Sequence, residues 1–107
     1  MTTSRNIQER IKNNGREGAT LSNTEVDGLD NEIDNIVLHI RSAKDYDTAI
    51  SSLNELGTLQ ELLSLLLFKY DALLSTKQKT VICGFDRSDD PDLRLAVYKA
   101  IKEGQFP

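Results

Sequence analysis

A chain of 107 residues is long enough for one domain with its own hydrophobic core. Its net charge is −4, and its 13 basic side chains stand against 17 acidic ones. This balance argues against nucleic acid as a partner, because binding a phosphate backbone needs clustered lysine and arginine.

The first twenty residues differ from the rest in composition. They are polar, contain the helix breakers Asn13-Asn14-Gly15, and carry a net charge of +2, whereas the remainder carries −6. Their interior holds few apolar side chains, notably Ile7 and Ile11. We therefore expect residues 1–20 to form a flexible polar arm that adds nothing to the core, with a transient helical turn over residues 4–12. A short motif that folds on a partner is the alternative.

The first helix has a strong start signal. Ser22 and Glu25 have the spacing of a capping box, in which each side chain satisfies a backbone N–H of the other residue. Apolar residues then recur at steps of three and four, which predicts a helix over residues 23–43 with one buried face. That face consists of Val26, Leu29, Ile33, Ile36, Val37 and Ile40.

Two helices are expected in the middle of the chain. Asp45 or Asp47 begins a short one, and Gly57 stops it. Thr58 then opens a third helix over residues 59–75, whose apolar arc of about 200° predicts a central helix with several neighbours.

Two more helices complete the chain. Thr76 is the expected N-cap of a short helix over residues 77–85. Asp90 followed by Pro91 predicts the start of the last helix, and Gly104 its end. The expected fold is all-α: an antiparallel bundle of four to five helices over residues 21–107, preceded by the flexible N-terminal arm.

The sequence gives little indication of a metal site or of a phosphotransfer site. His39 is the only histidine, and its neighbours resemble those of a phosphotransfer site in type, but the hydrophobe and the Arg each come one position early. The alternation of Asp86, Ser88, Asp90 and Asp92 imitates a calcium loop, but Gly and Glu are missing from the sixth and twelfth positions. We expect no metal and no cofactor.

Enzyme activity is not expected either. No glycine-rich phosphate loop is present. The spacing of the carboxylates is that of a solvated helix face and indicates no catalytic pair. The single cysteine, Cys83, excludes an intramolecular disulfide, and its apolar neighbours predict that it is buried. With no secretory signal and no apolar run near 20 residues, the expected location is cytoplasmic, without a membrane contact.

What remains is a role in protein binding. Asp27, Asp30 and Asp34 form an acidic helix face, and four apolar residues fall out of phase with their helices: Leu38, Phe68, Leu95 and Tyr98. Packing within a compact bundle is one explanation of the apolar four, and a partner-binding patch is the other. We predict a non-catalytic protein-binding regulator, adaptor or inhibitor whose partner has a basic surface. A structural subunit or homodimer, and a histidine phosphotransfer protein using His39, are the alternatives.

Overall fold

The computed structural model describes residues 2–85 and 90–105. Within these residues the chain forms five α-helices and no strand, which confirms the predicted all-α fold. The helices are α1 (Thr3–Asn14), α2 (Asn23–Ser42), α3 (Tyr46–Phe68), α4 (Thr76–Cys83) and α5 (Pro91–Gln105), with short 3-10 helices at Gly15–Ala19 and Asp71–Leu73. The helices α2 and α3 make the most extensive pair, and α5 packs against both.

The predicted start of α2 is confirmed. Ser22 is its N-cap: the Ser22 hydroxyl accepts from the Glu25 backbone N–H at 3.2 Å, and the Glu25 carboxylate accepts from the Ser22 N–H at 3.1 Å. All six residues of the predicted stripe are buried. Local capping and one apolar face therefore account for this helix.

The N-terminal segment departs from expectation. Residues Thr3–Asn14 are helical, and Ile7 has no exposed surface because it belongs to the hydrophobic core. Ala19 is equally buried. The prediction of an unstructured arm that adds nothing to the core is wrong for this segment, because a few apolar residues at helical spacing suffice once α2 offers a surface to cover.

Gly28 explains how closely α1 approaches α2. A Cβ added at Gly28 would lie 2.5 Å from the Thr3 hydroxyl oxygen, so a larger residue would require the Thr3 side chain or the start of α1 to shift. The sequence shows Gly28 as a mid-helix glycine, which lowers helix propensity by about 1 kcal/mol relative to alanine. The structure shows its compensation, which is the contact between two helices.

The predicted break at Gly57 is also wrong, because α3 runs through it without interruption. The Thr58 hydroxyl does not cap a new helix but donates to the Asn54 carbonyl at 3.0 Å, one turn back. Leu56 and Leu59 are buried on either side. Burial of a continuous leucine face outweighs the cost of a single glycine, roughly 1 kcal/mol. Of the two predicted starts, Asp45 and Asp47, Asp45 is the N-cap of α3.

The remaining helices begin close to the predicted positions. Ser75 rather than Thr76 caps α4, with Gln78 completing the capping box. The Gln78 amide also donates to the Leu21 carbonyl at 3.1 Å, tying α4 to the start of α2. Asp90 accepts from the Leu93 N–H at 3.3 Å at the start of α5, as expected.

Cys83 is exposed, which corrects the prediction that it is buried. Its neighbours Ile82 and Phe85 occupy the core positions instead, and the cysteine falls on the outer side of α4. Asp86 and Ser88 of the aspartate-rich turn lie outside the described residues.

Candidate protein-binding surfaces

The acidic face of α2 consists of Asp27, Asp30 and Asp34. Asp27 and Asp34 are exposed, and Asp30 is half-buried beside the core stripe. Helix geometry places the three within about 60° of arc. Leu38 follows Asp34 one turn later and is 61% exposed. Asp27, Asp34 and Leu38 therefore lie on one outward strip of α2. This strip combines the predicted negative charge with the predicted apolar side chain that falls outside the buried stripe of the helix.

Leu95 and Tyr98 lie on α5 and are 51% and 62% exposed. Leu95 borders a depression of about 500 Å³ between the end of α2 and α5, which it shares with Arg41, Lys44 and Lys99. An ion pair of 3.1 Å between Arg41 and Asp90 joins the two helices nearby. The surroundings of Leu95 are therefore basic, and they differ in charge from the acidic face.

Phe68, the last residue of α3, is 84% exposed. It borders a third region, a groove of about 430 Å³ between α3 and α4 that includes Leu67, Ile82 and Cys83. The tail around Phe106, which could cover it, lies outside the described residues. The predicted contact residues thus lie in separate places: the strip on α2, the α5 side, and the end of α3.

A polar cleft between α1, α2 and α3 was not anticipated from the sequence. Its volume is about 670 Å³. Its polar lining includes Arg5 and Gln8 from α1, Asn35 and His39 from α2, and Asn54 and Thr58 from α3. The cleft could not be predicted from the sequence, because one of its walls is the N-terminal segment, whose composition predicted a flexible arm.

Glu32 also lines this cleft, and its environment is unusual. Both carboxylate oxygens are buried, and neither has a hydrogen-bond partner. Buried polar atoms normally have a partner, and an unpaired one is costly in the free state. His39 is exposed, and it lines the same cleft.

Glu25, in the first turn of α2, has a pKa that its surroundings shift. Partial burial acts to raise its pKa, but the Ser22 N–H and the Arg10 guanidinium together lower the pKa below its ordinary value. The side chain is committed to the fold, since it caps α2 and pairs with Arg10. Glu25 is therefore a structural group and belongs to none of the candidate surfaces.

Within the described part of the chain, no three histidine, cysteine or acidic residues are grouped to hold a metal ion. No helix among the same residues is both long and apolar enough to cross a membrane.

Comparison with known proteins gives one result. No curated protein and no solved structure matches the chain significantly. A family model described as "Immunity protein CdiI-like" matches residues 4–103. The match begins inside α1 and ends inside α5, so it covers nearly the whole bundle, including the N-terminal segment. The chain belongs to the CdiI-like immunity protein family.

Proposed function

We propose that this chain is an immunity protein that binds a protein toxin and inhibits it, with the acidic face of α2 as its main charged contact. The observation that carries the proposal is the family match over residues 4–103. An immunity protein acts by occupying its toxin and needs no catalytic group of its own. This agrees with a sequence in which nothing favours catalysis.

The charge on α2 supports the acidic face as the contact. From Asn23 to Asp34 the helix carries no basic residue, and three of its acidic residues, Asp27, Asp30 and Asp34, form the acidic face. Charges near the helix N-terminus gain from the macrodipole, but this effect fades after the first turn and does not extend to Asp30 and Asp34. Asp30 and Asp34, four residues apart, repel each other mildly. A toxin with a basic surface gives this cluster a use, because opposite charges accelerate association.

Leu38 supports the same location. An exposed leucine one turn beyond Asp34 places an apolar side chain at the end of the strip, next to charged groups, and protein interfaces combine apolar and charged side chains in this way. Phe68, Leu95 and Tyr98 lie apart from it. They are candidates for a wider contact or for self-association, and sedimentation of the purified chain separates those two roles.

The test begins with the toxin, identified by affinity capture on the intact chain and then expressed in cells whose growth it arrests. Co-expression of the chain should restore growth. Replacing Asp27, Asp30 and Asp34 together by Asn should slow association and weaken protection. The matched control removes three exposed charges elsewhere, Glu9, Glu17 and Glu61, by replacement with Gln.

Three results would count against the proposal. One is a captured toxin that arrests growth equally with and without the chain. Another is an association rate that ignores both the triple Asp replacement and added salt, which would remove the acidic face from the interface. The third is equal weakening by the triple Asp variant and by its control, which would indicate that only net charge matters.

A further inference from the structure

The carboxylate of Glu32 is the least satisfied polar group in the described structure. Both of its oxygens are shielded from solvent and accept no hydrogen bond, although amide, hydroxyl and guanidinium side chains line the same cleft. Leaving a carboxylate unpaired and shielded opposes folding, and proteins rarely keep such a group unless something pairs with it.

The fold itself does not supply that partner. Arg5 lines the cleft from α1 but is exposed, and the Arg10 and Arg41 side chains pair with Glu25 and Asp90 instead. A metal ion is a poor candidate, because no group of three metal-ligating residues is present in the described part of the chain. The occupant that suits the site is a cationic group brought by another molecule.

We propose that this cleft receives an arginine side chain of the bound toxin, and that the Glu32 side chain turns from its shielded position into the cleft to accept the guanidinium. The proposal rests on the proposed function for the identity of the partner, but the recognition chemistry stands on the cleft alone. It adds a specific anchor point to an interface that otherwise relies on the acidic face.

Three features favour arginine. Two free carboxylate oxygens match the fork of a guanidinium, which binds carboxylates in bidentate fashion, whereas a lysine ammonium is a single point. Asn35, Asn54 and Thr58 offer acceptors for the remaining N–H groups. Ile36 and Leu59 also line the cleft and can cover the aliphatic stem.

The cleft is compatible with a partner on the acidic face. Around the axis of α2, Glu32 lies about 140° from Asp27 and borders one edge of the exposed side on which Asp27 lies. Asn35 and His39 lie between them on that exposed side. A toxin that covers the outer side of α2 therefore reaches both the acidic face and the cleft.

The experiment uses the intact chain and a probe, N-acetyl-arginine-N-methylamide, titrated while the Glu32 side-chain carboxyl carbon is followed by NMR. We expect a saturable shift at Glu32. The lysine analogue should bind more weakly, and the uncharged citrulline analogue, which has nearly the same shape, should not bind. Glu32→Gln should weaken the arginine probe by about tenfold or more, since it removes a charge-assisted pair.

Two control variants complete the design. Glu55→Gln removes an exposed carboxylate from the same cleft and should change the affinity by no more than about twofold, because exposed pairs contribute little. Arg5→Gln should also have little effect. Thermal melts of Glu32→Gln should show a free chain at least as stable as the parent, because the replacement removes an unpaired charge.

The proposal is overturned if the citrulline probe binds as well as arginine, or if Glu32→Gln binds like the parent. It is also overturned if Arg5→Gln strengthens binding by about tenfold, since the protein's own arginine would then fill the cleft. The arginine probe tests the cleft in the absence of any toxin. If the chain protects cells from a toxin but does not bind the arginine probe, the proposal for the cleft is refuted and the proposed function stands. If the chain binds the probe but gives no protection, the proposed function is refuted and the proposal for the cleft stands.

Discussion

Arg10 of α1 donates to the carboxylate of Glu25, which at the same time accepts the Ser22 N–H in the capping box of α2. The Arg10 guanidinium also donates to the Gly18 and Thr20 carbonyls, at 3.3 Å and 3.2 Å. One arginine therefore donates hydrogen bonds both to the turn between α1 and α2 and to the capping box of α2. This makes the position of α1 dependent on the start of α2.

The first prediction concerns the pH dependence of this link. Because the folded state lowers the pKa of Glu25 from 4.5, its contribution to stability is complete above that value and is lost as the pH falls through the folded pKa. Glu25→Gln should cost about 1 kcal/mol near neutral pH. Urea melts from pH 7 to pH 3 should show this difference shrinking below about pH 4.5. A difference that does not change with pH would contradict the assignment, and Glu9→Gln is the exposed control.

The second prediction tests the role of α1. Ile7→Ala should lower the free energy of unfolding by about 2–5 kcal/mol, because it leaves a cavity in a fully buried site. The exposed neighbour Asn6, replaced by Ala, should change stability by less than about 0.5 kcal/mol. Equal melts for the two variants would mean that residues 1–20 behave as a flexible arm after all.

The third prediction uses two glycines that both lie inside helices. Gly57→Ala should stabilise the protein by about 0.5–1 kcal/mol, since an added Cβ at Gly57 meets nothing within 4 Å. Gly28→Ala should destabilise it, because the new Cβ meets the Thr3 side chain. Thermal melts measure both. A gain at both positions would show that α1 shifts away from α2 at little cost.

The fourth prediction concerns the cap of α2. Ser22→Ala should cost about 0.5–2 kcal/mol, because the Glu25 N–H loses its acceptor. Ser22→Asp, which keeps an acceptor at the N-cap, should recover most of the loss. Superimposable urea melts of the parent and Ser22→Ala would show that this hydrogen bond contributes nothing measurable.

The features that could be predicted from the sequence are those fixed by neighbours along the chain. The capping box at Ser22, the N-cap at Asp45 and the Asp90-Pro91 start depend on residues within one turn, and all three are confirmed. The acidic face of α2 and the exposure of Leu38 follow from helix periodicity alone.

The features that were missed depend on contacts between distant residues. A glycine such as Gly57 lowers helix propensity, whereas burial of the residues on both sides favours a continuous helix. The sequence alone does not show which of these two effects is larger. Ile7 looked isolated because its core partners lie on other helices. The cleft around Glu32 needs three helices in place before its carboxylate can be recognised as unpaired.

The unbroken course of α3 has a consequence for selectivity. Along its axis, Asn54 at the cleft and Phe68 at the far end are separated by about 21 Å, and no hinge lies between them. A helix broken at Gly57 would let these two positions adjust to partners of different dimensions. A continuous one keeps their separation fixed, so a molecule that engages both must present groups at the matching distance. Shape, independently of charge, then discriminates among partners, and little conformational freedom of α3 is lost when the fitting one binds.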